Sequence, residues 1–154
     1  MNNNDVLRKM RYIFDYSDEK MISIFALGEV EADRAQVSAW LKKDDDPEFQ
    51  GIYDKPLAGF LNGFIILKRG RRDGPAPKAE KTLNNNLILR KIKIALALRD
   101  DHILELMELA ELPISKHELS ALFRKPGQKQ YRLCKDQFLR NFLMGLQLKF
   151  RDGY

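Results

Sequence analysis

Cysteine, histidine and tryptophan are nearly missing from this chain, which has one Cys, two His and one Trp in 154 residues. A lone Cys134 cannot close an internal disulfide, which fits a reducing compartment. His102 and His117 fall on different predicted helices, so a histidine-based metal pair is not expected. Long apolar runs are missing too. The longest uncharged stretch is Pro56 to Leu67, well short of the ~20 residues that a helical membrane span requires. The opening Met1-Asn2-Asn3-Asn4-Asp5 has neither the basic start nor the apolar core of a secretory signal, so a cytoplasmic location is expected. No phosphate-cradling glycine loop, nucleophile elbow or zinc-spaced cysteine set occurs. The acidic run Asp44-Asp45-Asp46-Pro47-Glu48 lacks the alternating ligands and central glycine of a calcium loop. These gaps lead to the expectation of a non-enzymatic protein with no cofactor and no metal.

What is present is a repeat. Displacing the sequence by 82 positions aligns Asn3-Asn4-x-x-Leu7-Arg8-Lys9 with Asn85-Asn86-x-x-Leu89-Arg90-Lys91, and the match runs without a gap to Arg69 and Arg151. Identical pairs include Asp18/Asp100, Leu27/Leu109, Glu29/Glu111, Ser38/Ser120, Asp54/Asp136, Phe60/Phe142 and Gly63/Gly145, 17 of 68 positions in all. Ungapped agreement over that length marks a tandem duplication, with one repeat in residues 1–70, a basic linker in 71–83 that should be exposed and mobile, and a second repeat in 84–154.

Each repeat reads as four helices, which makes the chain all-α. The first should follow an Asn cap, Asn4 or Asn86, and bury Leu7, Met10, Ile13 and Phe14, or Leu89, Ile92 and Leu96. The second starts near Asp18 or Asp100 and should bury Met21, Ile22 and Phe25, or Ile103, Leu104 and Met107. Capping boxes at Asp33-x-x-Gln36 and Ser115-x-x-Glu118 open the third, which faces Val37, Trp40 and Leu41, or Leu119, Leu122 and Phe123, inward. The fourth begins at Asp54 or Asp136 and carries Leu57, Phe60, Leu61 and Phe64, or Leu139, Phe142, Leu143 and Leu146. Gly63 and Gly145 lie inside the fourth helices, where glycine costs about 1 kcal/mol relative to alanine. A close helix contact should offset that cost, between the copies about a pseudo-twofold axis; the other reading is a helix that kinks or stops early.

Charge then separates the repeats. Residues 1–70 hold 10 basic and 12 acidic side chains, whereas residues 84–154 hold 13 and 8. Attraction for a polyanion should therefore sit in the second repeat. Within it, Phe123 to Lys135 contains Arg124, Lys125, Lys129, Arg132 and Lys135 with no acid, and Tyr131 among them could stack on an unpaired base. Arg90 and Lys91, with Arg8 and Lys9, offer a further basic stripe; solvent exposure or a salt bridge to Asp54 or Asp136 is the structural alternative. A third helix beginning at Asp33 resembles a helix-turn-helix recognition helix, but the turn before it is long and carries Glu29 and Glu31, which phosphate would repel. The matching loop of the first repeat is the acidic 44–48 run, so the two loops could also meet head to tail in a homo-oligomer or dock on a protein partner. Cys134 aligns with Ile52 and reads as a small buried hydrophobe.

The doubled Asn-Asn-x-x-Leu-Arg-Lys, together with Leu27-Gly28-Glu29-Val30, Ser38-Ala39-Trp40-Leu41-Lys42-Lys43, Ser115-Lys116-His117-Glu118-Leu119-Ser120-Ala121-Leu122-Phe123-Arg124-Lys125-Pro126-Gly127 and Asp136-Gln137-Phe138-Leu139-Arg140, resembles the YehS-like family of bacterial cytoplasmic proteins. The resemblance spans essentially the whole chain. It implies a duplicated domain of unknown function and brings no catalytic residue, cofactor or substrate.

Overall fold

The computed structural model describes residues 1–153, and among them the chain is all-helical with no strand. In the first repeat α1 is Asn3–Phe14, α2 Asp18–Leu27, α3 Arg34–Leu41 and α4 Asp54–Arg69. In the second α5 is Asn85–Ala95, α6 Asp100–Leu109, α7 Lys116–Leu122 and α8 Asp136–Leu146, which runs on into a π-helix, Gln147–Arg151. Every helix of the second repeat starts 82 residues after its counterpart. The chain divides into two units, Met1–Leu83 and Asn84–Tyr154. The stretch between α4 and α5 forms no helix, and it is tied down near its end, since the Leu83 N–H donates to the Asp54 carboxylate at 2.8 Å. Among the described residues no helix is long and apolar enough to cross a membrane.

The fourth helix of each repeat is its central element. Leu57, Phe60, Leu61 and Phe64 are fully buried in α4, as are Leu139, Phe142, Leu143 and Leu146 in α8; each such side chain contributes about 1.5–3 kcal/mol of burial. Around α4 the core is aromatic, with Phe25 against Trp40 at 5.1 Å and against Phe60 at 4.9 Å between ring centroids. The second repeat has Met107 and Leu122 in the places of Phe25 and Trp40. On α2 and α6 the inner face is Met21, Ile24 and Phe25, and Ile103, Leu106 and Met107. Ile22 and Leu104, expected inside, are only half-buried, because i, i+3, i+4 spacing carries the stripe past them. Leu41, Phe14, Leu96 and Phe123 are half-buried for their part.

Gly63 and Gly145 explain how the second and fourth helices approach. A Cβ on Gly63 would collide with the Ile24 carbonyl of α2, and one on Gly145 with the Leu106 carbonyl of α6. The close contact that these glycines permit is therefore made inside each repeat, which corrects the expectation that it joins the copies. The first repeat takes the approach further, since a Cβ on Gly28 would strike Gly59. In the second repeat those places are Ala110 and Asn141, and the Asn141 amide donates to the Ala110 carbonyl at 3.0 Å. A side-chain hydrogen bond there replaces backbone against backbone.

Helix starts depart from expectation at α1 and α5. Their caps are Asn2 and Asn84, whose side chains accept from the backbone N–H groups of Asp5 and Leu87. Asn4 and Asn86 lie within the helices and are buried. Asp18, Asp100, Asp54 and Asp136 stand in first turns, one residue past their caps, where a carboxylate faces the positive helix end. At the third helices Ser115 and Glu118 form the full reciprocal box. Asp33 accepts from the Gln36 N–H, but the Gln36 side chain turns away to Gln50.

Candidate nucleic-acid interface

A buried asparagine builds the basic loop. From inside α5, Asn86 Nδ2 donates to the carbonyls of Leu122 at 3.0 Å and Arg132 at 2.8 Å, while its Oδ1 accepts from the Cys134 N–H at 2.8 Å. One amide thus satisfies three backbone groups at both ends of the loop, groups that would be costly to bury unpaired. Asn85 adds the Cys134 carbonyl at 3.0 Å and the Asp136 carboxylate at 2.7 Å. The first repeat repeats the device: Asn4 donates to Trp40 and Gln50 and accepts from Ile52, and Asn3 donates to Ile52 and Asp54.

Loop backbones then agree bond for bond. The Asp46 N–H donates to Lys43, Phe49 to Asp46 and Gln50 to Ala39; in the second repeat Gln128 donates to Lys125, Tyr131 to Gln128 and Arg132 to Ala121. On the same scaffold the side chains carry opposite charge. Residues 42–53 set two lysines against four carboxylates, whereas residues 124–135 have five cations and no acid.

Of the anticipated cations, Lys125, Lys129, Arg132 and Lys135 are exposed, and Arg124 is half-buried. The Arg132 backbone is locked at both its N–H and its carbonyl, leaving only the side chain to respond to a partner. Tyr131 is half-buried and stands where the first repeat has Phe49, which is half-buried as well. An aromatic residue there belongs to the loop's packing in both repeats.

The proposed stripe of Arg90 and Lys91 is not a stripe. Lys91 is buried, and the Arg90 guanidinium donates to the Phe123 carbonyl at 2.8 Å, closing the C-terminus of α7. Arg8 does the same at the Lys42 carbonyl, 2.6 Å away, and also pairs with Asp5. Cations beside a helix C-terminus meet its unpaired carbonyls and negative dipole end, which gives both arginines a structural contact, while Arg90 also stays exposed. Lys93, one turn on, lies 4.3 Å above the Phe123 ring.

Cys134 is buried, as is Ile52 at its place in the first repeat. Burial, with Asp136 close by adding to it, pushes the thiol up to about 12. It is therefore protonated and a poor nucleophile at neutral pH. His102 uses Nδ1 to accept the Arg99 N–H at the start of α6, and His117 is exposed on α7. Among the described residues no group of three His, Cys, Asp or Glu is placed to hold a metal ion. The α2–α3 connection is as long as read, and α3 directs Val37 and Trp40 into the core while Arg34 pairs with Glu19.

A family model described as a protein of unknown function (DUF1456) matches residues 3–70 and again residues 85–152. The chain belongs to this family. Those limits coincide with the duplicated segments read from the residues, so the four-helix unit is one DUF1456 repeat. The uncharacterized protein YehS of Escherichia coli (strain K12) is 43% identical over 147 residues, covering 95% of this chain and 94% of its own length. No solved structure matches the chain.

The asparagine clamp was missed from sequence because Asn2-Asn3-Asn4 and Asn84-Asn85-Asn86 were read as a source of one cap each. The signal was there: a cap uses one asparagine, and three stand in a row at the start of each four-helix unit.

Proposed function

We propose that the chain is a non-enzymatic, cytoplasmic binding protein whose second DUF1456 repeat associates with RNA or single-stranded DNA through Lys125, Lys129, Arg132 and Lys135. One observation carries this reading. The same clamped backbone bears a net negative loop in one repeat and a wholly cationic one in the other, so the positive charge is a property of the surface and not a requirement of the fold. Single strands suit a short projecting loop that has no helix to place in a groove.

Four phosphate contacts give a slope of about −3 in log affinity against log salt, or a loss of about 50-fold between 50 and 200 mM. Titration of labelled RNA and DNA oligomers across that range measures it. Arg132→Glu should lower affinity at low salt and flatten the slope, while folding is unaffected because Asn86 holds the Arg132 main chain. Absent binding, a flat salt response, or an unchanged Arg132→Glu variant overturns the reading.

The matched but opposite loops also favour a second reading, head-to-tail self-association or a protein adaptor. Light scattering at low and high salt tests it: assembly that dissolves in salt supports it, and a strict monomer that captures no protein after nuclease treatment counts against it.

A further inference from the structure

Phe14 and Tyr16 stack at 5.7 Å in the first repeat, Phe64 lies 5.2 Å from Phe14, and Lys68 Nζ is 5.3 Å above the Phe14 ring. Three rings meet where the end of α1, the turn after it and α4 come together. The second repeat has Leu96, Leu98 and Leu146 at those positions, and where α4 runs straight to Arg69, α8 gives way to the π-helix at Gln147. Leucines replace the rings of Phe14 and Tyr16 in the corner, and the π-turn brings Phe150, a half-exposed ring, to its edge. An open pocket of about 230 Å³ results, walled by Leu96, Leu98 and Leu109 and bearing His102, Glu105 and Lys149.

We propose that this pocket is a binding site for a small aromatic carboxylate. Leu96 and Leu98 of its wall stand where the first repeat has the stacked rings of Phe14 and Tyr16, so a single ring is the occupant this architecture accommodates. An apolar cavity of about 150 Å³ already admits benzene. The polar groups favour an anionic tail. His102 commits Nδ1 to the Arg99 N–H at 3.0 Å, which leaves Nε2 as the proton-bearing nitrogen of the neutral ring. Lys149 supplies a second donor and a positive charge, and only Glu105 offers a carboxylate. The turn after α5 repeats the hydrogen bonds of the turn after α1, whereas the π-helix wall is specific to the second repeat, and π-turns inside helices are frequent at functional sites.

Phenylacetate, cyclohexylacetate and phenethylamine are the probes, titrated onto the full chain with methyl-labelled leucines observed by NMR. Phenylacetate should shift the methyls of Leu96, Leu98 and Leu109 saturably, with a dissociation constant on the order of 1 mM for so small a ligand. Cyclohexylacetate and phenethylamine should bind at least several-fold more weakly. Installing the first repeat's residues, Leu96→Phe with Leu98→Tyr, should abolish the shift at the Leu109 methyls that remain, and Lys149→Glu should weaken phenylacetate about tenfold. Leu109→Trp, at a partly exposed position of the pocket wall, blocks the site independently should the double variant misfold. No saturable shift from phenylacetate, binding that survives both blocking variants, or equal binding of phenethylamine overturns the proposal.

Discussion

At the residue scale, Asn4 and Asn86 matter more to these repeats than any charged side chain. Each is a buried amide with both N–H donors and its carbonyl oxygen engaged by backbone at the loop's two ends, so truncation orphans two carbonyls and one N–H at once. Asn86→Ala is expected to cost about 2–4 kcal/mol in urea denaturation, and to do so without altering the composition of the loop. A loss under about 0.5 kcal/mol would mean that water replaces the amide freely. Cys134 offers a pH test. Its thiol keeps its proton in the folded chain up to about 12, against 9.0 for an ordinary thiol, so above pH 9 the unfolded chain binds fewer protons and stability falls. The slope is about 1.4 kcal/mol per pH unit between those values, and Cys134→Ala should remove that increment while leaving the other alkaline titrations in place. Below pH 9 the two proteins should show the same pH dependence, and the native thiol should resist modification by disulfide reagents.

At the element scale, the second and fourth helices of each repeat are set by glycine. In a helix interior alanine normally stabilises by about 1 kcal/mol over glycine, yet at Gly63 and Gly145 the added methyl meets a backbone carbonyl that cannot rotate away. Gly63→Ala and Gly145→Ala are therefore expected to destabilise by about 1–3 kcal/mol, the opposite of what propensity alone gives. Gly51, with nothing near its Cβ direction, is the control, and Gly51→Ala should stay within about 0.5 kcal/mol of the parent. Thermal melts of the three variants decide it, and stabilisation by Gly63→Ala would show that α2 yields. Helix starts were legible from sequence to within two residues, because caps and acidic first turns are local chemistry. Which of Asn2, Asn3 and Asn4 does the capping was not, because all three can cap and only burial distinguishes them.

At the scale of the whole molecule, two homologous units are joined by residues 70–83, which form no helix. Arg71 and Arg72 are exposed there, so limited digestion with trypsin should cut first in that segment and yield two fragments near half of the 18.0 kDa chain. A first cut at Lys129 instead would show that the asparagine clamp leaves the basic loop mobile. The duplication, the helix count, the core face of the fourth helix and the charge difference between the repeats were all determined by the sequence alone, since each is a pattern along the chain that one copy confirms in the other. Only the tertiary structure decided what long-range contact controls. It buried Lys91, turned Arg8 and Arg90 into helix-end donors, placed Phe49 and Tyr131 in equivalent packing and opened a pocket beside Leu98. The physical reason is the same for each. A side chain's role depends on which backbone groups and which volumes the fold brings to it, and residues more than 30 positions apart in the chain give no periodic sign of meeting.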